Sequence, residues 1–245
     1  MEKILVIDIG NTSTAYGLYR AGKISRLGRL PTREATHAKI RSALKDHRTH
    51  SAVIASVVPS LNAVWAKALG RPILWAGHEL KLGVTIDYAK PASIGADRLA
   101  NACGGLVKYG CPLIVADFGT AVTFDCVTRK GAYVGGVIAP GLPLMFSYLA
   151  EKTAKLPLIK VGPTRSKVGR STTEAMKLGA RWGYRGMVRE IVSELLKHPD
   201  LRGAKLVATG GYASWVVRGL NPRMIVDPTL TLYGLGQMHE MNVKS

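Results

Sequence analysis

The sequence predicts an α/β protein built from two similar halves. Residues 5–19 read LVIDIGNTSTAYGLY and residues 114–128 read IVADFGTAVTFDCVT, so one pattern of apolar run, Asp, Gly and Asn or Thr occurs twice. Short apolar runs of strand length alternate with amphipathic segments of helix length, which is typical of α/β layering. No low-complexity linker divides the chain. We therefore expect halves at residues 1–112 and 113–245, facing each other across a cleft.

The first half begins with a strand in residues 3–10, because its apolar run ends at an Asp and a Gly that favour a tight turn. Residues 14–30 alternate in polarity and contain glycine breaks, which predicts antiparallel strands in a meander. The remaining elements expected here are a helix at 36–47, a strand at 51–60, a helix at 61–70, a strand at 71–77 and a helix at 95–110.

The second half repeats the opening pattern in residues 111–127, and residues 131–141 continue it as strand and loop. The helical periodicity then predicts one helix at 142–156 and one long helix at 172–198. Residues 204–220 indicate a strand, a Gly-rich turn and a helix, and residues 230–242 a final helix.

Composition indicates a soluble, cytoplasmic protein. Of 245 residues, 47% are hydrophobic, which is enough for a sizeable core. No stretch reaches the roughly 18 uncharged apolar residues of a membrane span, and the opening MEKILVIDIG lacks a signal-peptide layout. The three cysteines are odd in number and include no C-x-x-C pair, so we expect no disulfide framework.

The charge is strongly positive. Lys and Arg total 34 against 16 Asp and Glu, a net charge of +18 that predicts attraction to polyanions. Aromatic residues are only 7% of the chain, which leaves little material for base stacking. The sequence shows no helix-turn-helix, zinc-finger or RNA-binding signature. We expect no membrane partner, while the charge leaves nucleic acid open.

The repeated Asp-x-Gly turns indicate phosphate chemistry. A turn at a strand end exposes backbone N–H groups, glycine allows close approach of a ligand, and Asn or Thr can donate to phosphate oxygens. A carboxylate beside phosphate needs a cation between them, as Mg²⁺ sites provide. Residues 8–12 and 117–121 could thus hold one nucleotide triphosphate. Either copy alone is also compatible with an ordinary glycine turn.

Six short motifs follow one another in a recognisable order. They are Asp8-x-Gly-Asn-Thr12, Gly95-Ala-Asp-Arg98, Asp117-x-Gly-Thr-Ala121, Gly135-Gly-x-Ile-x-Pro-Gly141, Thr153-Ala-x-Leu-Pro157 and Thr209-Gly-Gly211. The ordered set resembles type III pantothenate kinase, which uses ATP to convert pantothenate to 4'-phosphopantothenate in the first step of coenzyme A biosynthesis. That family belongs to the acetate and sugar kinase/actin-like ATPase superfamily.

The resemblance implies a fold, cofactors and partners. The fold would be two duplicated actin-like ATPase (ribonuclease H-like) halves with a nucleotide cleft between them. The cofactors would be ATP, Mg²⁺ and a monovalent cation, either K⁺ or NH₄⁺. The partners would be pantothenate and a second copy of the chain in a homodimer.

The resemblance also implies roles for individual residues, with Asp97 as the catalytic base. Those that would contact pantothenate are Tyr88, Gly95, Ala96, Asp97, Arg98 and Thr172. Those that would bind ATP are Asp8, Ile9, Gly10, Asn11, Thr12, Ser13, Thr14, Ala15 and Thr120. Asp117 would bind the monovalent cation, and Asp8 is a candidate ligand for Mg²⁺.

One residue departs from what the resemblance implies, and one pair of residues has a second interpretation. Tyr233 stands where an acidic residue is expected. From the residues alone, without the resemblance, Asp97 and Arg98 favour a surface ion pair at a helix start.

Two other groups of residues have simpler interpretations. His47 and His50 could share a helix face, but without a third ligand we expect both to be solvent-exposed. Four basic residues spaced by four on the predicted long helix form a stripe that is either solvated or anion-binding: Lys177, Arg181, Arg185 and Arg189. Three glycines on the same helix indicate close packing, for example against a second subunit: Gly179, Gly183 and Gly186.

Two alternatives to a pantothenate kinase follow from these features. One is a kinase of the same fold that acts on another hydroxyl substrate. The other is a non-catalytic homologue that binds polyanions or acts in regulation through its positive surface.

Overall fold

A computed structural model describes residues 2–164 and 167–243 of the chain. The strands are β1 (Ile4–Ile9), β2 (Ser13–Arg20), β3 (Lys23–Pro31), β4 (Ala52–Ser56), β5 (Ile73–Trp75), β6 (Thr85–Ile86), β7 (Leu113–Phe118), β8 (Ala121–Val127), β9 (Ala132–Pro140), β10 (Lys205–Thr209) and β11 (Ile225–Val226). The helices are α1 (His37–Ala43), α2 (Asn62–Leu69), α3 (Ala96–Tyr109), α4 (Leu142–Lys152), α5 (Thr172–Gly179), α6 (Arg185–Lys197), α7 (Ala213–Val217) and α8 (Leu230–Val243).

The chain packs into two compact units. The first contains residues 1–111, 127–134 and 229–245, and the second contains residues 112–126 and 135–228. A single cut after residue 112 therefore does not describe the packing, because helix α8 packs on α3 in the first unit. That residues 1–112 and 113–245 are duplicated halves stays a prediction.

The first unit is organised around a sheet with the order β3-β2-β1-β4-β5. Strand β1 pairs antiparallel with β2 and parallel with β4, and β2 pairs antiparallel with β3. The predicted meander is therefore confirmed. Every residue of β1 is buried except Asp8, which is half-buried near the carboxyl end of the strand.

Helices α3 and α8 approach each other closely through glycines. A Cβ atom on Gly104 would lie 2.9 Å from the Cα of Gly234, and one on Gly234 would lie 1.9 Å from the carbonyl oxygen of Ala100. The buried Thr231 hydroxyl donates to Asn101 Oδ1 at 2.8 Å across the same contact. Backbone contact this close leaves no room for side chains at either glycine.

The second unit carries most of a sheet with the order β11-β10-β7-β8-β9-β6. Strand β10 pairs parallel with both β7 and β11. Strand β7 has the same burial pattern as β1, with Asp117 half-buried and the other five residues buried. The two copies of the sequence pattern thus form equivalent strands.

The predicted long helix at 172–198 is interrupted. A π-helical segment, Ala180–Tyr184, joins α5 to α6. Gly179 and Gly183 lie in or beside this segment, where they lower the propensity for a regular α-helix. A Cβ atom on either would meet nothing within 4 Å, so the close packing expected at these two glycines is absent among the described residues.

The prediction that His47 is solvent-exposed is wrong, whereas His50 is exposed as expected. Helix α1 ends at Ala43 and a turn follows at residues 44–46, so His47 lies beyond both in an irregular segment. The His47 side chain is buried, its Nε2 lies 2.6 Å from the carbonyl oxygen of Arg26, and its ring packs edge-on against Tyr16. Tertiary packing rather than helix periodicity decides its environment.

Tyr233, the departure from the expected acidic residue, has a packing role on α8. Its ring packs against Tyr19 with centroids 6.2 Å apart, and the Nζ of Lys108 lies 5.2 Å from its centroid.

Within residues 2–164 and 167–243, no helix has both the length and the apolar character that crossing a bilayer requires.

The contact between α3 and α8 predicts a large effect of Gly234→Ala. The added methyl would overlap the carbonyl oxygen of Ala100, so we expect the free energy of unfolding to fall by about 3 kcal/mol. Gly186→Ala is the control, because its Cβ would meet only a flexible Arg189 Nη2 atom at 3.9 Å. The control should gain about 1 kcal/mol from helix propensity. Urea unfolding measures both, and equal stability of the two variants would contradict the close contact.

Candidate functional site

Two hydrogen bonds from Thr32 hold the turn that follows β1. The hydroxyl of Thr32 donates to the carbonyl oxygen of Gly10 at 2.6 Å, and its backbone N–H donates to the carbonyl oxygen of Thr12 at 3.0 Å. These bonds fix the turn, while Asn11 and Thr12 are exposed at its tip. The exposed Asn11 side chain can therefore donate to a ligand from a turn that is already formed.

The remaining residues expected to bind ATP in this segment differ in accessibility. Ile9 is fully buried, and the buried Thr14 hydroxyl lies 3.3 Å from the hydroxyl of Thr32. Ser13 accepts a hydrogen bond from Arg29 Nη1 at 2.9 Å, and Ala15 pairs with Asp8 across the β1–β2 ladder. The buried side chains of Ile9 and Thr14 support the turn, so any contact they make with a ligand is through the backbone.

In the second unit, two glycines bring other segments against the turn after β7. Gly210 has φ +88°, and a Cβ atom there would lie 2.5 Å from Asp117 Oδ1 and 2.7 Å from Phe118 N. A Cβ atom on Gly141 would lie 2.2 Å from the carbonyl oxygen of Thr120, which accepts a hydrogen bond from the Gly141 N–H at 3.1 Å. Three motifs that are distant in sequence thus meet at the turn after β7, and Gly210 lies against its half-buried carboxylate.

Asp97 lies in the first turn of α3, two residues after the N-cap residue Gly95. The Asp97 carboxylate accepts the backbone N–H of Arg98 at 2.8 Å. A Cβ atom on residue 95 would lie 2.5 Å from Asp97 Oδ1, so glycine leaves space for the carboxylate. Ala96 is buried between them. The helix start therefore holds the Asp97 side chain in one position.

Burial changes the chemistry of Asp97. Asp97 keeps partial exposure, yet desolvation raises the pKa of its carboxyl group above the ordinary value. The N–H bond from Arg98 and the nearby Arg98 charge lower the pKa in part, but desolvation is the larger effect. A carboxylate with a raised pKa is a stronger base than an ordinary surface Asp.

Arg98 is buried, which rules out the surface ion pair as a description of this site. Only 8% of the residue is exposed, and its guanidinium carbon lies 5.9 Å from the ring centroid of Tyr133. Tyr133 is fully buried on β9, and Tyr88 packs against it with ring centroids 6.2 Å apart. Tyr88 itself is 38% exposed. Arg98, Tyr133 and Tyr88 therefore form one cluster beside the start of α3.

Sequence reasoning missed Tyr133. It lies in an apolar strand, where an aromatic residue is expected to be an ordinary core side chain. The available signal was its position two residues before the first glycine of the Gly135–Gly141 motif. Only the pairing of β6 with β9, which places Tyr133 opposite Ile86, brings it close to Tyr88.

Thr172 is the first residue of α5, in the second unit, and is exposed. The Ser171 hydroxyl accepts the Glu174 N–H at 3.3 Å, and Glu174 Oε2 accepts the Arg170 N–H at 3.0 Å. These bonds resemble a capping box, in which the side chains at the two ends of the first turn each accept a backbone N–H. Thr172 is therefore presented from a well-defined helix start.

The predicted basic stripe does not form one solvated face. Arg185 places its guanidinium 4.8 Å from the Trp215 ring centroid and donates to the Trp215 carbonyl oxygen. Partial burial, followed by the charges of Arg181 and Arg218, lowers the pKa of Arg185. The π-helical segment changes the spacing of side chains here, so residues four apart no longer line up.

The described part of the chain contains no preformed cluster of metal-binding side chains. Within residues 2–164 and 167–243, no three or more His, Cys, Asp or Glu residues are grouped as metal ligands. A cation at Asp8 or Asp117 would therefore need further oxygen ligands from backbone, water or a bound phosphate, as Mg²⁺ commonly takes.

Comparison with known proteins identifies the family. The family model described as type III pantothenate kinase matches residues 4–194. The chain belongs to the type III pantothenate kinase family. A type III pantothenate kinase of Methylacidiphilum infernorum is 37% identical over 98% of this chain and 89% of its own length. One of Akkermansia muciniphila is 43% identical over 94% of this chain and 96% of its own length.

Solved structures agree on the fold. A conserved Campylobacter jejuni protein named for the Baf family of transcriptional activators has a TM-score of 0.65 at 18% identity, covering 98% of this chain and all of its own. An activator of 2-hydroxyisocaproyl-CoA dehydratase from Clostridium difficile, solved with bound ADPNP, has a TM-score of 0.52 at 13% identity, covering 98% and 94%. The predicted actin-like ATPase and sugar kinase fold is confirmed.

Because the pKa of Asp97 is raised, we predict that Asp97→Asn increases the free energy of unfolding of this protein. Folded Asp97 holds its proton more tightly than the unfolded chain does, so stability is lost as pH rises through the folded pKa. Asparagine removes that loss and can still accept the Arg98 N–H. The variant should be the more stable protein at neutral pH, and the difference should shrink as pH falls towards about 4, the ordinary carboxyl pKa.

Urea unfolding over a pH series measures this difference. Asp46→Asn is the matched control, because Asp46 is an exposed aspartate of the same unit. It should show no comparable gain. A wild-type protein as stable as Asp97→Asn at neutral pH would show that desolvation of Asp97 has no net effect on folding.

Proposed function

We propose that this chain transfers the γ-phosphoryl group of ATP to pantothenate and forms 4'-phosphopantothenate, the first step of coenzyme A biosynthesis. The observation that carries the proposal is Asp97, held at the start of α3 with a raised pKa beside the buried Arg98, in a member of the type III pantothenate kinase family. Relatives at 36–43% identity over nearly the whole chain bear the same name, which supports the substrate.

Asp97 acts as the catalytic base in this proposal. Phosphoryl transfer depends on positioning and charge neutralisation more than on covalent steps by the protein. A carboxylate fixed by the Arg98 N–H can orient the primary alcohol of pantothenate and accept its proton as the new phosphate ester forms. Its raised pKa makes that proton transfer easier, provided that Asp97 is ionised at the working pH.

Arg98 and Tyr88 recognise pantothenate. The planar guanidinium matches a carboxylate with two parallel hydrogen bonds, and its burial strengthens the attraction by excluding water. Tyr88 is exposed enough to contact a ligand while Tyr133 supports it from below. Gly95 and Ala96 contribute backbone at the same helix start, and Thr172 adds a hydroxyl from α5.

The two strand-end turns bind ATP and cations. Asn11, Thr12 and Thr120 contact phosphate oxygens, and the backbone from Asp8 to Ala15 contributes N–H donors. Asp117 would hold a monovalent cation, K⁺ or NH₄⁺, and Asp8 would hold Mg²⁺. Cations at these carboxylates would offset the repulsion between carboxylate and phosphate. Rates measured with and without potassium test the monovalent site.

Exposed apolar residues in the second unit support a homodimer. Leu144 and Tyr148 on α4 are 42% and 63% exposed, and Trp182 in the π-helical segment is 52% exposed. Helix α4 contacts the π-helical segment, and exposed apolar side chains on adjoining elements that form one patch commonly mark a protein interface. Sedimentation should then give about twice the chain mass of 26.3 kDa. We place the enzyme in the cytoplasm, where ATP is supplied.

The activity predicts pantothenate-dependent formation of ADP in the presence of Mg²⁺ and potassium. Asp97→Asn should lower kcat by about 10²- to 10⁴-fold, because a positioned general base contributes that much. The acid limb of the wild-type pH–rate profile should lie above the ordinary Asp range, since protonation of Asp97 removes the base. Asp46→Asn should behave as wild type.

Three outcomes would count against this assignment. ADP formation with another alcohol but not with pantothenate would favour a kinase for a different hydroxyl substrate. No turnover by a folded protein, with salt-dependent DNA binding, would favour the polyanion-binding homologue. Unchanged kcat in Asp97→Asn would remove the proposed base.

The cluster around Tyr133 predicts a specific effect on pantothenate affinity. Tyr133→Phe keeps the ring under Arg98 and should leave the KM for pantothenate within about two-fold of wild type. Tyr133→Leu removes the ring and should raise that KM by about 3- to 30-fold, the size of a cation–π contact that is partly desolvated. The KM for ATP is the internal control and should not change. An equal rise in both KM values would indicate general misfolding instead.

A further inference from the structure

The second unit contains an open cavity on its surface, and no residue of the proposed kinase site lines it. Its volume is about 470 Å³. It is lined by Leu196, Arg202, Gly203, Ala204, Lys205, Leu206, Pro222, Arg223 and Ile225. These residues come from the end of α6, the turn before β10 and the start of β10, and the segment that leads into β11.

The cavity lies at the opposite end of the sheet from Asp117. Lys205 and Leu206 begin β10, whereas Thr209, at the other end of β10, pairs with Asp117. Four residue steps along an extended strand span about 13 Å. A ligand in the cavity would therefore be separate from the glycine-lined turn at the carboxyl ends of β7 and β10.

The charge of the cavity is entirely positive. Arg202, Lys205 and Arg223 carry the charged groups, and none of the nine lining residues is acidic. Three basic side chains at one cavity give it a positive local potential, which attracts anions. The head group of a ligand here should therefore be anionic, such as a phosphate, sulfonate or carboxylate.

The wall of the cavity is apolar. Leu196, Leu206 and Ile225 supply aliphatic surface, and Ile225 is 46% exposed on β11, which is the edge strand of its sheet. An exposed β-branched residue beside three cations offers apolar contact next to the charged groups. The volume lies within the usual range of small-molecule pockets, about 300–1,000 Å³.

We propose that this cavity binds a small amphiphilic anion, with its charged head at Arg202, Lys205 and Arg223 and its apolar body against Leu206 and Ile225. The proposal does not depend on the kinase assignment, because no lining residue belongs to the catalytic or nucleotide-binding set.

The fluorescent anion 1-anilinonaphthalene-8-sulfonate has this chemistry and serves as the probe. Wild type should bind one probe per chain, and the joint variant Arg202→Gln, Lys205→Gln and Arg223→Gln should weaken binding at least about ten-fold, or 1.4 kcal/mol. Ile225→Ser should weaken it by about three-fold through lost apolar contact. Saturating ATP and pantothenate should leave the affinity unchanged.

A matched variant removes the same charge elsewhere in the second unit. Lys155→Gln, Lys160→Gln and Lys167→Gln together change three exposed lysines that do not line the cavity. Equal weakening by this control would show attraction to overall charge and overturn the site. Displacement of the probe by ATP would place it in the kinase site and would also overturn the proposal. Thermal unfolding confirms that each variant is folded.

Competition tests both parts of the ligand. Hexyl phosphate or hexanoate should displace the probe from wild type, whereas hexanol, which has the same chain without a charge, should not. Displacement by hexanol at the same concentration would show that the cations are not used. Displacement by inorganic phosphate as strong as that by hexyl phosphate would show that the apolar wall is not used.

Discussion

Each unit depends on a buried strand that ends in a half-buried carboxylate. In β1 and in β7, every residue except the aspartate is buried, so the strand cannot shift without exposing its apolar neighbours. The aspartate is placed where the strand stops and the backbone turns. Burial of each strand therefore fixes the position of Asp8 and of Asp117. It also fixes where the turn that follows each strand begins.

Close backbone approach is the second requirement at these strand ends. Gly210 and Gly141 let two further segments contact the turn after β7, at distances where any Cβ atom would overlap a backbone or carboxylate oxygen. In the first unit, the same role falls to hydrogen bonds from Thr32. The two turns resemble each other in sequence, yet one is held by glycine contacts and the other by a threonine.

Asp97, the base in the proposed mechanism, illustrates how a group suited to catalysis can oppose stability. Its carboxylate is desolvated at the start of α3, which costs folding free energy but makes it a better base. Arg98 is also buried, and its guanidinium lies over the ring of Tyr133. The two residues are adjacent in sequence, so one helix start positions a carboxylate and a guanidinium together.

Local patterns in the amino-acid sequence determined much of this protein by themselves. Strand runs, glycine turns and helix periodicity are short-range properties, so they predicted the β1–β3 meander, the equivalent strands β1 and β7, and the motif that contains Asp97. The resemblance carried by six ordered motifs led to the family, which the family model and the relatives confirm.

Only the tertiary structure decided which distant residues meet. The contact of Tyr133 with Arg98, the burial of His47 and the packing of α8 with α3 all join segments far apart in sequence. The π-helical segment likewise interrupts a periodicity that is continuous in the sequence. Such features depend on the summed packing of many side chains, which no local pattern encodes.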